Sequence, residues 1–536
     1  MTAHTQPSSA SALPPLFGPD GSIGGVAPTD LHPLPPIPST PAADVAAVVA
    51  RARRAQPAWE ALGFEERARL MKKACKLLLE NRARFGALIR DEAGKLKVNA
   101  QMHEAIGPLD YVSNWIKVAR KGLKQKRLPI NPVAMPGKSG HTELVARGVV
   151  GIIAPWNYPL GVYFKPALPA LLCGNTIVIK PSEYSPRTGA LFAELMGQVL
   201  PKDVVCVVQG GRDVGKALVA ADIDGLSFTG SPQGGRAVMA ACAERLIPCS
   251  AELGGKDAAL VLPDCDLERT VLGVLNWGLH NSGQDCGAVE RVYVVGDIAD
   301  RFVELLTLAA SRIQVARSAA EEDQAGIGPR ANPMQLGIVE DHVADALKKG
   351  ARLCSGGKRT GFGLFYEPTV LDACTHEMRV VADETFGPVL AVLRVPDVDT
   401  AVRMANDSRY GLNASIWTRD FERAEQIARQ LQVGTVFINN HALTGTMPAA
   451  PWTGVKDSGF GVANSEHALH TFTRPKTLFV DTGRKPDPWW LPADSLLGEI
   501  AERLAKAQLG DVAGALKLPG LMKQRQKKLL ELLRGK

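Results

Sequence analysis

Two residues of this 536-residue chain together carry the chemistry needed to make and then hydrolyse a thioester. Glu252 opens the run Glu252-Leu253-Gly254-Gly255-Lys256, and Cys286 closes the run Asn281-Ser282-Gly283-Gln284-Asp285-Cys286. A thiolate attacks a carbonyl carbon, and a carboxylate within hydrogen-bond reach of a water can take its proton. The paired glycines after Glu252 mark backbone that another molecule can approach closely. The polar residues before Cys286 read as an exposed setting, and Gly283 lets the chain turn so that the thiol faces a tunnel. Cys173, in Leu171-Leu172-Cys173-Gly174, and Cys206, in Val204-Val205-Cys206-Val207-Val208, read instead as buried core sulfur.

The elements that must position these residues follow a strand–helix alternation. Short apolar, β-branched runs at 149–154, 176–179, 204–208 and 225–228, and one ending at Glu252, predict strands. Helical spacing falls between them, near 160–173, 187–199 and 232–245. A second alternation has strands at 257–262 and 290–295, helices near 267–280 and 298–314, and further units to Phe437-Ile438. The pattern predicts an α/β fold with two doubly wound parallel-sheet domains. Ligands on such sheets sit beyond the carboxyl ends of the strands. Asn157, Lys180, Glu183, Thr229-Gly230-Ser231 and Glu252 each fall just after a predicted strand. Gly230 and Ser231, opening the helix near 232, can offer backbone N–H groups and a hydroxyl to a pyrophosphate, and Ser231 also suits an N-cap.

Composition narrows the class. A hydrophobic content of 46% can fill a large core, and no apolar run of about 18 residues suggests a membrane span. The net charge is +7, but residues 484–536 hold 11 Lys/Arg against 6 Asp/Glu, so the rest of the chain is near neutral. Such a body gives no reason to invoke nucleic acid. Nine cysteines without CxxC spacing argue for reduced thiols rather than a disulfide frame or zinc site, and the cytoplasm is the expected compartment. The Pro-rich start, 1–40, lacks an apolar h-region and reads as a flexible or surface-packed lead, with Pro35-Pro36-Ile37-Pro38 as polyproline II.

Four motifs, met in order between about residues 40 and 480, resemble the NAD(P)-dependent aldehyde dehydrogenase superfamily. They are Pro155-Trp156-Asn157-Tyr158-Pro159, Glu252-Leu253-Gly254-Gly255-Lys256, Gly283-Gln284-Asp285-Cys286 and Glu384-Thr385-Phe386-Gly387-Pro388-Val389. The resemblance implies oxidation of an aldehyde to its acid through a thiohemiacetal and a thioester. It makes Cys286 the nucleophile, Glu252 the general base for hydrolysis, and Asn157 the oxyanion donor beside the Cys286 N–H. It implies a dinucleotide site at Trp156, Lys180, Ser182, Glu183, Gly230, Ser231, Gly254, Glu384 and Phe386. There, Lys180 and Glu183 would meet the adenine ribose, Glu384 the nicotinamide ribose, and Phe386 would pack against the cofactor. A carboxylate at 183 repels a 2′-phosphate and favours NAD, while Lys180 and the small Ser182 leave NADP open. Acylating members that use coenzyme A typically lack the glutamate, so Glu252 favours a free acid product.

On this reading 41–129 with 148–253 bind the dinucleotide, and 254–440 form the catalytic domain. Residues 130–147 and 441–482 supply oligomerisation and bridging elements, a small sheet among them, for a homodimer or homotetramer; 483–536 form a basic amphipathic helical tail. Three features depart from the family's usual pattern. Trp452 and Thr453 reshape a loop near the substrate mouth, and Lys165-Pro166 stand where many members have an aromatic followed by lysine. That second change looks nearer the branch using fatty or aromatic aldehydes. Asp285, just before the nucleophile, would disfavour a thiolate and repel anionic substrates if it faces the sulfur.

Two other readings compete. The basic tail could act at a membrane surface or on a partner, with catalysis vestigial, or the thiol could serve an esterase or thioesterase. Gly210-Gly211-Arg212-Asp213-Val214-Gly215-Lys216 resembles a P-loop, but Ala217 replaces the Ser/Thr that would hold magnesium, so it reads as a strand-to-helix turn.

Overall fold

The two strand–helix alternations form two sheets. The computed structural model describes residues 15–107, 112–132 and 134–534. Contacts divide the chain into one unit of Met1–Gly122 and Ala146–Thr473 and another of Leu123–Val145 and Arg474–Lys536.

In the larger unit the first sheet runs in the spatial order Gly459–Phe460, Cys249–Glu252, Gly225–Thr229, Val149–Ile153, Thr176–Lys180, Val205–Val207. The five longer or central strands are parallel, and their near-continuous burial follows from helices packed on both faces. The edge pair Gly459–Phe460 runs antiparallel, with Gly459 opposite Glu252. Gly459 has φ +139°, and a Cβ there would stand 2.2 Å from the Ala251 carbonyl oxygen. Only glycine lets the returning loop lie this close to the strand that carries Glu252. A two-residue strand leaves no periodic trace, which is why an all-parallel sheet was the sequence expectation.

The second sheet has seven strands, in the order Arg352–Ser355, Thr369–Asp372, Val389–Val395, Val289–Val295, Asp257–Val261, Asn413–Trp417, Thr435–Ile438. The Arg352–Ser355 edge is again antiparallel and the others parallel. Its two faces hold separate cores, one around Leu260, Tyr293, Val339 and Leu393, the other around Val261, Val292, Phe302 and Trp417. The fold is therefore doubly wound α/β in both halves, each sheet ending in one reversed edge strand.

Two expectations need correction here. The described part of the lead, 15–40, is not a free arm: Ile23, Ala27 and Leu34 are buried, and Ile23 bridges both Phe17 and Ile37. Its apolar residues are spaced by turns and prolines, so no helix or strand period marked them as core. Residues 441–472, expected among the bridging elements, belong to the larger unit, and only Thr473–Asp481 joins the small sheet. The first fourteen residues of the expected lead lie outside the described residues.

The smaller unit holds a three-stranded sheet in the order Lys126–Arg127, Lys138–Ala146, Thr473–Asp481. Its tail is a helical hairpin, Ser495–Gln508 and Val512–Glu531, packed on Ile500, Leu518 and Met522. Arg525 is fully buried there, donating to the carbonyls of Pro488, Trp490 and Pro492 and pairing with Asp494. No helix of the described residues is long and apolar enough to cross a membrane.

Candidate active site

Glu252 ends a strand of the first sheet and Cys286 follows a helix of the second. Leu267–Leu279 leads into His280–Gly283, where Asn281, Ser282 and Gly283 all take positive φ, at 48°, 60° and 74°. Of these, the non-glycine residues Asn281 and Ser282 cost backbone strain, which persists only where the surroundings over-determine it. A Cβ on Gly283 would stand 2.0 Å from the Gly387 carbonyl oxygen, so this position requires glycine.

The polar run Asn281, Ser282 and Gln284 before Cys286 is buried rather than exposed, contrary to the sequence expectation. Its side chains tie the loop to itself and its neighbours. Asn281 Nδ2 donates to the carbonyls of Asn157 and Gln284, both at 2.9 Å. Ser282 Oγ donates to Gly328 O (3.0 Å), and Gln284 Oε1 accepts the Ala331 N–H (2.8 Å). Polar residues buried with satisfied partners fix geometry more tightly than an apolar loop could.

Asn157 is held by the same network. One N–H of its amide donates to Gln284 O at 3.1 Å, and the amide carries a second N–H. The turn after it is anchored from behind by Glu104, a residue sequence reasoning missed. Glu104 Oε2 accepts the N–H groups of Leu160 (3.1 Å) and Gly161 (2.9 Å), satisfying donors at the start of the helix Gly161–Leu172. Glu104 is itself paired with the buried Lys95. Nothing local signals this pair, since Glu104 sits within the π-helical stretch Ala100–Ile106 and Lys95 precedes it.

The paired glycines serve the site differently from expectation. A Cβ on Gly255 would meet the Cys286 carbonyl oxygen at 2.1 Å, and one on Gly254 would meet Glu384 Oε2 at 2.3 Å. They let the two halves of the chain close on each other, and the Gly255 N–H donates to Glu384 Oε1 (3.0 Å). Lys256, next in line, is buried against Glu290, whose oxygens accept the N–H groups of Thr385 and Phe386, both at 2.8 Å. Glu290 thus shapes the turn that presents Glu384 and Phe386, and it too was not singled out from sequence.

One cavity of about 530 Å³ is lined by Cys286, Glu252 and Asn157 together with Trp156, Gly230, Ser231, Gly254, Glu384 and Phe386. Lys180, Ser182 and Glu183 are not in that lining. They sit at the end of Thr176–Lys180, where Lys180 Nζ donates to Gly210 O (2.7 Å) and lies 3.6 Å from Glu183. The P-loop-like stretch is a strand-to-helix turn, with Gly210 at φ +155° against Val214. Ser231 caps Pro232–Glu244, its hydroxyl accepting the Gly234 N–H at 3.2 Å.

Burial raises the proton affinity of both Glu252 and Cys286. Burial pushes the Glu252 carboxyl up to about 8, while Lys165 and the Trp452 indole pull it down. Burial and the neighbouring Asp285 carboxylate raise the Cys286 thiol well above its ordinary value. Glu384 is pushed up to about 8 by burial and by Glu290. Among the described residues, Glu252 Oε2 and Asn157 Oδ1 are buried without a hydrogen-bond partner. Unpartnered buried polar atoms around a lined cavity mark a place for a ligand or water.

The aldehyde dehydrogenase family model matches residues 19–478. The chain belongs to that family. It is 36% identical over 436 residues to the 4,4'-diapolycopene aldehyde oxidase of Methylomonas sp, covering 81% of each chain. It is 36% identical over 439 residues to the lactaldehyde dehydrogenase of Escherichia coli K12, covering 80% of this chain and 88% of that one. The solved NAD+ complex of an aldehyde dehydrogenase from Bacillus cereus superposes with a TM-score of 0.82 at 31% identity, over 86% of this chain and 94% of the other. The protein is accordingly an oxidoreductase that converts an aldehyde to its acid with NAD or NADP through a cysteine thiohemiacetal and thioester. The vestigial and esterase readings are not favoured. The cavity suits the dinucleotide: the capped N-terminus of Pro232–Glu244 opens onto it at Gly230 and Ser231, and anions are stabilised at such a terminus.

Proposed function

We propose that Cys286 is the nucleophile, Asn157 the oxyanion donor and Glu252 the base that releases the acid. What supports this reading is a single cavity lined by all three with Trp156, Glu384 and Phe386. Cys286 Sγ, once its proton has passed to solvent, attacks the aldehyde carbon as the thiolate, and an N–H of Asn157 with the Cys286 backbone N–H receives the oxyanion. The dinucleotide, when bound, supplies the hydride acceptor. Glu252 then takes a proton from water as the water attacks the thioester, and the sulfur leaves and takes up that proton from Glu252. Gly230, Ser231, Gly254, Glu384, Phe386 and Trp156 hold the dinucleotide on the cavity side, and Lys180, Ser182 and Glu183 hold its adenosine end. The Glu183 carboxylate beside that end favours NAD over NADP by like-charge repulsion of a 2′-phosphate.

Replacing Asn157 by alanine is expected to lower kcat by about 10²- to 10³-fold, the cost of one oxyanion donor, with KM changed far less. Steady-state absorbance of the reduced cofactor measures both. A fall in which KM carries the effect would move Asn157 from the transition state to ground-state binding.

The substrate is read as an uncharged apolar or aromatic aldehyde. Trp115, Trp277, Trp452 and Phe472 line the cavity, and an aspartate stands beside the thiol. Each methylene moved from water into such a lining gains about 0.8 kcal/mol, so kcat/KM should climb up to about fourfold per carbon from butanal to octanal. A terminal carboxylate should cancel that gain, making succinic semialdehyde a poor substrate. A flat series, or succinic semialdehyde as the best compound tested, would overturn the apolar reading.

The protein acts as a cytoplasmic homodimer or homotetramer on this reading. Nine unpaired cysteines suit a reducing compartment. The edge strand Thr473–Asp481, exposed along Leu478, Phe479 and Val480, offers an unpaired sheet edge for assembly.

A further inference from the structure

The carboxylate next to the nucleophile has no part in the steps above, yet it is one of the best-held side chains in the site. Asp285 Oδ2 accepts the Tyr158 hydroxyl at 2.6 Å and His280 Nδ1 at 3.0 Å. Its Oδ1 accepts the Gly287 N–H at 3.0 Å and lies 3.8 Å from the Cys286 sulfur. The side chain is only 14% exposed. His280 is packed among the rings of His103, Trp277 and Tyr158. The Lys95 ammonium lies 3.6 Å from the Tyr158 ring centroid but is already paired with Glu104.

We propose that Asp285, clamped by Tyr158 and His280, is a positioning residue for Cys286 whose fixed negative charge keeps the resting sulfur in the protonated thiol form. The proposal rests on the reading of Cys286 as nucleophile. It follows from what the carboxylate can and cannot do. Burial favours the neutral acid, but the hydrogen bonds from His280 and Tyr158 outweigh it and hold Asp285 well below the usual carboxylate range. Asp285 is therefore held as the anion and is a weak proton acceptor, poorly matched to activating the thiol as a base.

Asp285 acts on the sulfur in two ways that agree: Oδ1 accepts the Cys286 S–H at 3.8 Å, which favours the thiol, and its charge repels a second negative charge at short range. Around the thiol, burial and Asp285 oppose ionisation most strongly; Glu384 and Asp257 add to them, and Lys165 alone among the principal neighbours favours the thiolate. Lys165 lies over the Trp452 ring, its ammonium 5.6 Å from the centroid, and makes no ion pair among the described residues. A sulfur held as thiol resists oxidation and alkylation, which both proceed through the thiolate. The enzyme thereby trades nucleophilicity near neutral pH for a protected resting state.

The test is the pH dependence of iodoacetamide alkylation at Cys286, followed by mass spectrometry of its peptide in the full-length protein. Asp285→Asn and Asp285→Ser, both uncharged, are expected to lower the alkylation midpoint by one pH unit or more. At pH values below the midpoint this is an increase in rate of about tenfold or more. Asp285→Glu keeps the charge and should keep a midpoint close to that of the wild type. Tyr158→Phe loosens the clamp and leaves the charge, so it should not lower the midpoint. The acid limb of kcat/KM should move with alkylation in the uncharged variants. Coincident midpoints for wild type and both uncharged variants would overturn the proposal. So would a Tyr158→Phe variant that shifts downward as far as Asp285→Asn, since loosening alone would then explain the change. Alkylation does not require turnover, so its outcome is independent of whether Cys286→Ala abolishes oxidation, which tests the nucleophile itself.

Discussion

Cys286→Ala loses aldehyde oxidation by at least about 10⁴-fold in kcat/KM, as expected when a covalent nucleophile is removed. The sulfur creates the tetrahedral centre from which hydride can depart, and an sp² aldehyde bound in the same cavity has no equivalent route. No other cysteine can substitute. Cys75, Cys173, Cys206, Cys242, Cys265 and Cys374 are buried, and neither Cys249 nor Cys354 lines the cavity. Dinucleotide binding should survive, because Gly230, Ser231 and Glu384 make no hydrogen bond to the sulfur. Titration of the variant with NAD, followed by tryptophan fluorescence, checks this, since Trp156 and Trp277 line the cavity. An alanine variant that bound NAD normally and still oxidised aldehydes at a tenth of the wild-type rate would remove Cys286 from the chemistry.

The residues proposed to react were legible in the sequence because each follows a strand or sits in a short run whose residue types have few other uses. Glu252 ends a strand, Asn157 comes four residues after the β-branched strand Val149–Ile153, and Cys286 comes three residues after a glycine with positive φ. The alternation of strands and helices was legible for the same reason, since buried parallel strands read as unbroken apolar runs. What holds the residues was not legible. Glu104 reaches Leu160 across 56 residues, and Glu290 reaches Thr385 across 95. Pairings at such separations leave no periodic trace. The glycines of 254–255 were read as room for a ligand, but they make room for Glu384 and for the Cys286 backbone. Sequence shows that a Cβ is unwelcome at such positions without showing what would meet it. The same limit applies to Asp285, whose direction decides its effect. It turns inward because Tyr158 and His280, 127 and 5 residues away, converge on one oxygen.

Glu252→Gln should separate the two halves of the reaction. Glutamine preserves the volume and one hydrogen-bonding oxygen but cannot take a proton from water. Attack by Cys286 and loss of hydride still proceed, so one equivalent of reduced cofactor per site appears in a rapid burst. Hydrolysis of the thioester then limits turnover, and the steady-state rate falls by about 10²- to 10⁴-fold, the range for losing a positioned base. Hydroxylamine, a nucleophile that needs no base, should restore turnover by capturing the acyl group as a hydroxamate. The pH dependence carries the sign of the assignment. Burial pushes Glu252 up to about 8, and only its carboxylate form accepts a proton, so wild-type deacylation should rise as pH rises through that value. The glutamine variant should lose that limb while the thiol's own ionisation still shapes the burst. Rapid-mixing absorbance between pH 6 and pH 10 reads both phases. Unchanged steady-state turnover without a burst would show that another group activates the water, and the buried, unpartnered Oε2 of Glu252 would then need a different explanation.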